Sequence, residues 1–393
     1  MITRSLETKL KQLAKQMPAI AVIGPRQAGK TTLVRKVFSD KPYISLEDLE
    51  VREFAETDPR GFLAQYQTGA IFDEIQRVPT LLSYLQTIID EQPKNGRFIL
   101  TGSHNYLLQQ HVAQTLAGRV AMLTLLPLSL EELNQSSAKL QTVEQYLFTG
   151  CYPRIYDQKL DPTKWYQDYI QTYIERDVRL IKNISDLHTF QKFIKLCAGR
   201  IGQILNLSSL ANDCGITHNT AKAWLSVLES SYLVFLLQPH HQNFSKRLIK
   251  MSKLYFYDPG LACALLNISN TQQLKTHYLY GNLFESLVIS ELMKNRFNHG
   301  LQPNCYFWRD RLGHEIDCLL EQGDKLTPVE IKSGKTINAD YFKGLRYWTN
   351  LAGISADQGY VVYVGLQSQQ RQQGNVVSWK TMAPLTRSSL SNA

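Results

Sequence analysis

At 393 residues the chain is too long for one ordinary hydrophobic core, which predicts two or three domains. A hydrophobic fraction of 44% with 20% charged residues excludes a disordered polypeptide, and no run of eighteen apolar residues is present to cross a membrane. Of the formal net charge of +9, most lies in residues 151–275, with 15 Lys+Arg against 9 Asp+Glu; the surplus is compatible with double-stranded DNA as a partner and equally with an ordinary solvated surface.

The first residues read as an amphipathic Lys-rich helix and not as a signal sequence, which places the protein in the cytoplasm with no membrane partner. The cysteines at 151, 197, 214, 263, 305 and 318 stand singly with no C-x-x-C pair, so they are expected to be buried free thiols. Ala19 to Ile23 reads as a buried strand and Thr32 to Phe38 as the start of a helix. Between them Gly24-Pro25-Arg26-Gln27-Ala28-Gly29-Lys30-Thr31 fills the phosphate-binding pattern G-x-x-x-x-G-K-[ST], and Thr32 follows it. Glycines let the loop backbone approach a polyphosphate, and the helix N-terminus favours its negative charge. Lys30 would reach the β- and γ-phosphates of ATP, and the Thr31 hydroxyl would ligate Mg²⁺.

Ala70-Ile71-Phe72-Asp73-Glu74 is an apolar run closing in two carboxylates, as expected of a central strand that delivers acids to the phosphate site. Asp73 would support the metal, and Glu74 would orient and deprotonate the attacking water. Arg97 to Ser103 reads as another strand; Thr101 or Ser103 at its end would sense the γ-phosphate, although a turn or helix cap explains them nearly as well. Strand-like runs at 19–23, 43–46, 70–72, 98–100 and 121–125, alternating with helical patterns, predict an α/β fold with a doubly wound parallel sheet. Arg119, after Leu116-Ala117-Gly118, could approach a γ-phosphate in its own or a neighbouring subunit, or simply lie at the surface.

Beyond Pro127 the pattern turns helical. In Tyr166 to Arg179 the charged end Glu175-Arg176-Asp177 would be a hinge, a nucleotide-sensing contact or a solvated helix end. Leu207 to Leu225 has helix-turn-helix spacing: Ala211 for close packing, Gly215 for the sharp turn and Thr217 as the next cap. A DNA-binding version would expose His218, Asn219 and Lys222. The apolar runs 233–237 and 254–257, separated by Lys246, Arg247, Lys250 and Lys253, read as a winged helix with a basic wing. Further on, a helix at 281–292 carries Glu285, and strands at 315–320 and 328–332 carry Asp317, Glu330 and Lys332. On adjacent antiparallel strands, Asp317 and Glu330 can converge on one metal beside Lys332, the minimal equipment for phosphodiester hydrolysis; a solvated strand face is the alternative.

Together these residues resemble a family of prokaryotic ATPases in which an AAA-type P-loop domain precedes a winged helix and a restriction-endonuclease-like C-terminal domain. The matching stretches are Gly24 to Thr32, Phe72 to Gln76, Leu100 to Ser103, Leu116 to Arg119, Tyr257 to Leu261, Gly313 to Asp317 and Val329 to Lys332. The resemblance implies a P-loop domain of the AAA/ASCE type over residues 1–130, a helical lid and winged helix over 131–270, and a PD-(D/E)XK nuclease-like domain over 271–365. It also implies Glu285, Asp317, Glu330 and Lys332 in the nuclease motif positions, with Ile316 replacing the motif's proline. The Gln-rich remainder, 366–393, is expected to be disordered.

Overall fold

The computed structural model describes residues 2–103, 114–173, 186–240, 250–382 and 384–385. Strands β1 (Ala19–Ile23), β2 (Tyr43–Ser45), β3 (Ala70–Asp73), β4 (Phe98–Gly102) and β5 (Val120–Thr124) form a parallel sheet in the order β2-β3-β4-β1-β5. Alternation along β1 explains its wholly apolar sequence, because both faces are covered. Ile20 and Val22 join a core with Leu6 and Leu10 of helix α1 (Leu6–Ala14) and Leu33 and Val34 of α2 (Lys30–Val37). Ala19, Ala21 and Ile23 face the opposite core, which includes residues of α3 (Leu49–Thr57), α4 (Pro59–Ala64) and α5 (Leu81–Glu91).

The second region is helical: α6 (Leu130–Asn134), α7 (Val143–Thr149), α8 (Pro153–Asp157), α9 (Pro162–Tyr169), α10 (Leu187–Ala198), α11 (Leu207–Cys214) and α12 (His218–Ser230). Gly215 ends α11 at φ 81°, and the Thr217 hydroxyl accepts from the Thr220 N–H, so the expected turn and cap are both present. Strands β6 (Gln203–Ile204), β7 (Val234–Leu237) and β8 (Lys253–Phe256) complete this unit as an antiparallel sheet with β8 in the centre. Lys246 and Arg247, and the charged trio 175–177, lie outside the described residues. Lys253 contradicts the basic-wing expectation: it is 3% exposed, because β8 turns it inward toward carboxylates.

After α13 (Pro259–Leu265) and α14 (Thr271–Thr276), the long helix α15 (Tyr280–Asn298) leads into β9 (Cys305–Arg309), β10 (Glu315–Gln322) and β11 (Lys325–Lys332). Helix α16 (Lys343–Ala352) then precedes β12 (Tyr360–Tyr363), β13 (Gln369–Arg371) and β14 (Gly374–Ser378). The sheet order is β13-β14-β12-β11-β10-β9. Residues 366–378 therefore differ from the expected disordered tail. Val376, Val377 and Trp379 are buried, and β14 pairs in parallel with β12; the polar Gln-rich stretch is only the edge hairpin of this sheet. All six cysteines are buried free thiols.

Candidate nucleotide site and C-terminal acid cluster

The loop between β1 and α2 depends on glycine at two places. A Cβ on Gly24 would lie 2.0 Å from the Leu125 carbonyl oxygen, so only glycine lets the chain pass the end of β5. Gly29, at φ 91°, turns the chain into α2 in the left-handed region. Pro25 to Ala28 span the loop, with Gln27 also at positive φ, and Thr32 lies in the first turn of α2 beside the cavity. The Lys30 ammonium is buried and donates to the carbonyls of Gly24 and Pro25 at 3.0 and 2.9 Å. Burial lowers its pKa, while Glu74 and Asp73 pull it upward.

Strand β3 delivers Asp73 to this loop. Its carboxylate accepts from the Thr31 hydroxyl at 3.0 Å, from the Tyr43 hydroxyl at 2.7 Å and from Thr101. Glu74, at φ 56°, holds a left-handed conformation uncommon for a side-chain-bearing residue. Its Oε2 accepts from the Ser103 hydroxyl at 2.7 Å and from the Gln76 amide, and its N–H donates to Thr101 Oγ1 at 3.3 Å. Thr101 and Ser103, expected to face the γ-phosphate, bond to the two acids, because β4 lies beside β3.

A cavity of about 520 Å³ opens over these groups, and Arg154 and Asp157 of α8 also line it. Arg4 supports it from behind: its guanidinium donates to the carbonyls of Ala28 and Leu126, each at 2.6 Å, and to Glu132 at 3.1 Å. Sequence reasoning missed Arg4, Tyr43 and Arg154, for none lies within a motif; the one local signal was Pro153 opening a helix at the start of the helical region. The loop suits a magnesium-bound triphosphate. Thr31 and Asp73 are hard oxygen donors, and magnesium takes few protein ligands when phosphate and water complete its shell.

Arg119 does not join this group. It precedes β5, whereas the phosphate loop leaves the opposite end of β1, and the register Ala19↔Val120 to Ile23↔Thr124 puts about 17 Å of strand between them. Its guanidinium instead pairs with Asp90 at 2.6 and 2.9 Å.

The C-terminal residues do come together, but not as a metal site. The ammonium of Lys253 lies 2.9 Å from Glu285 Oε1 and also pairs with Glu315 Oε1, while Tyr255 donates its hydroxyl to the same Glu285 oxygen at 2.5 Å. Lys332 pairs with Glu330 and, at 3.6 Å, with Asp317, whose Oδ2 accepts the Ile331 N–H at 2.7 Å. Arg309 holds the second oxygen of Glu315 at 2.8 Å. Burial pushes the Glu285 carboxyl up to about 7 against the pull of Lys253. The same burial opposes the charge on Lys253, but Glu285, Glu315 and Asp317 outweigh it and raise its pKa. Among the described residues, no group of three or more His, Cys, Asp or Glu side chains is arranged to hold a metal ion, and the expected convergence of Glu285, Asp317 and Glu330 on one cation is not what the geometry gives.

Comparison with known proteins divides the chain similarly. Residues 16–134 match the model of an AAA domain, and residues 140–272 and 280–382 match two domains of unknown function, DUF8612 and DUF4143. An uncharacterised protein of Mycobacterium tuberculosis is 28% identical over 337 residues, covering 85% of this chain and 74% of the relative. An uncharacterised protein of Methanocaldococcus jannaschii is 25% identical over 351 residues, covering 81% and 75%. Among solved structures, the Walker-type ATPase of Pyrococcus abyssi aligns at 15% identity with a TM-score of 0.41, covering 66% of this chain and 94% of that one.

Proposed function

We propose that this chain is a magnesium-dependent ATPase whose nucleotide state biases the arrangement of the helix-turn-helix unit and the C-terminal domain. The observation that carries this reading is one constellation, in which Lys30, Thr31, Asp73 and Glu74 meet at a loop where Gly24 passes within a methyl group's reach of the β5 end. Lys30 would neutralise the β- and γ-phosphates, and Thr31 and Asp73 would hold magnesium. The bound ion would draw charge from the phosphate oxygens as the terminal bond breaks. Glu74, fixed by Ser103 and Gln76, would orient a water and take its proton. Glu74→Gln should still bind ATP while its hydrolysis rate falls about 10²- to 10⁴-fold; turnover at the normal rate would remove Glu74 from the role.

Arg119 is too far from the loop of its own chain, so as a charge stabiliser it would act on nucleotide held by a second copy in a homo-oligomer. The domain organisation proposed is a P-loop domain to about residue 130, a lid and winged helix to about 270, and a nuclease-like α/β domain beyond. The element order α10-β6-α11-α12-β7-β8 supports the winged helix, and the exposed His218, Asn219 and Lys222 at the start of α12 favour double-stranded DNA as a partner. The order α15-β9-β10-β11-α16-β12, with acids at the expected positions, supports a nuclease-like fold. A specific observation favours reading that domain as an inactive scaffold: its acids are already paired with Lys253, Lys332 and Arg309. Magnesium-dependent DNA cleavage abolished by Asp317→Ala would reverse that preference. Six buried thiols, and no described helix long and apolar enough to cross a membrane, fit the cytoplasm as the compartment.

A further inference from the structure

The carboxylates of the C-terminal domain are met by a side chain from outside it. Lys253 and Tyr255 are two residues apart on β8, the central strand of the small sheet, so both project from one face, and that face meets Glu285 on α15. The lysine ammonium spans to Glu315 on β10 and lies 5.6 Å from the centre of the Phe307 ring on β9. The next residue along α15, Ser286, clamps the β8 backbone: its hydroxyl donates to the Phe256 carbonyl at 3.1 Å and accepts the Phe256 N–H at 3.3 Å. Further along, His240 donates its N–H to the Phe307 carbonyl at 2.7 Å, and the Phe307 N–H reaches the Gln238 carbonyl at 3.1 Å, joining the end of β7 to β9. The small sheet is therefore fastened to the C-terminal domain through backbone bonds at its edge and through a buried charge at its centre.

Charge balance shows what that buried lysine does. Four carboxylates, Glu285, Glu315, Asp317 and Glu330, gather there with three cations, Lys253, Lys332 and Arg309. Without Lys253 two carboxylates in excess would be buried together, a cost several-fold larger than that of a surface pair. We infer that Lys253 is the resident cation of this cluster, an intramolecular counter-ion that occupies the position a divalent metal would need and locks the helix-turn-helix unit to the C-terminal domain. A metal and the lysine are then mutually exclusive: a divalent ion gains Glu285, Glu315 and Asp317 as ligands only if the Lys253 ammonium leaves them. The inference rests on the scaffold reading of the domain, yet the two fail differently, since that reading falls to Asp317-dependent DNA cleavage by the unaltered protein and this one falls to metal binding.

The test is a Mn²⁺ titration of the full chain without nucleotide, read by the loss of the free-ion resonance signal. The unaltered protein and Asp317→Asn should bind Mn²⁺ indistinguishably, because no site exists there to lose. Lys253→Met should gain a site at least tenfold tighter, and adding Asp317→Asn should abolish it. An Asp317-dependent site in the unaltered protein, or no gained site in folded Lys253→Met, overturns the inference. If Lys253→Met does not fold, Lys253→Met with Glu285→Gln, which restores the excess of one carboxylate, should recover a cooperative melt; a double variant that also fails to fold overturns it as well.

Discussion

Asp73 accepts three hydroxyls, from Thr31, Tyr43 and Thr101, and so is held in place by three separate elements before any ligand arrives. Tyr43 is the member no motif announces. Burial and the Asp73 carboxylate raise its pKa, so it stays a hydrogen-bond donor to the acid through the neutral range. A different single carboxyl has a consequence for stability. Glu229, near the end of α12, is pushed up to about 7 from an ordinary 4.5 by burial alone. A carboxyl raised in the folded state binds its proton more tightly there than in the unfolded chain, so stability falls as pH rises from about 4.5 to 7 and stays reduced above it. The shift corresponds to at most about 3 kcal/mol. Glu229→Gln should leave melting unchanged near pH 4.5 and raise it at pH 8; equal effects at both values would show that Glu229 is not strained by burial.

At the scale of elements, α12 carries the exposed His218, Asn219 and Lys222 that the proposed DNA partner would meet. If it lies in the major groove, Lys222→Ala should weaken DNA binding across sequences and lower the salt slope by about one, through the loss of one phosphate contact. An unchanged slope would take α12 out of the interface. The elements themselves were largely legible. The five strands of the first sheet follow from short apolar runs, and the α11 to α12 turn follows from Gly215 and Thr217, because in each case a local backbone demand selects the residue type. What escaped was set at long range. Lys253 sits among basic residues in sequence, a local pattern that suggests a charged wing, yet its partners are 32 and 62 positions away on α15 and β10. The strand-forming Val376 and Val377 were overshadowed by seven mostly polar residues before them, which turn out to make only an edge. The metal ligands expected at Glu285, Asp317 and Glu330 had correct strand and helix positions, but spacing does not reveal which cation fills the space between them.

Across the whole molecule, one buried set of charges links the nucleotide loop to the C-terminal domain. Arg4 joins Ala28 of the loop to Glu132 of α6, and the Leu130 N–H of the same helix donates to Glu291 of α15 at 2.6 Å. Lys294, one turn along, pairs with Glu291 at 2.7 Å and donates to the Leu128 carbonyl at 3.1 Å. Helix α15 is also the element that receives Lys253, so both ends of the molecule bear on one rod of 19 residues. A ligand shifts such an arrangement only as far as it binds one state more tightly than another, so the whole account depends on the loop binding a triphosphate. Calorimetric titration of the purified chain with ATP and magnesium, beside Lys30→Ala, is the most direct test. The account predicts saturable binding near one site per chain that Lys30→Ala abolishes; no binding by the unaltered protein, or equal binding by both, would contradict it.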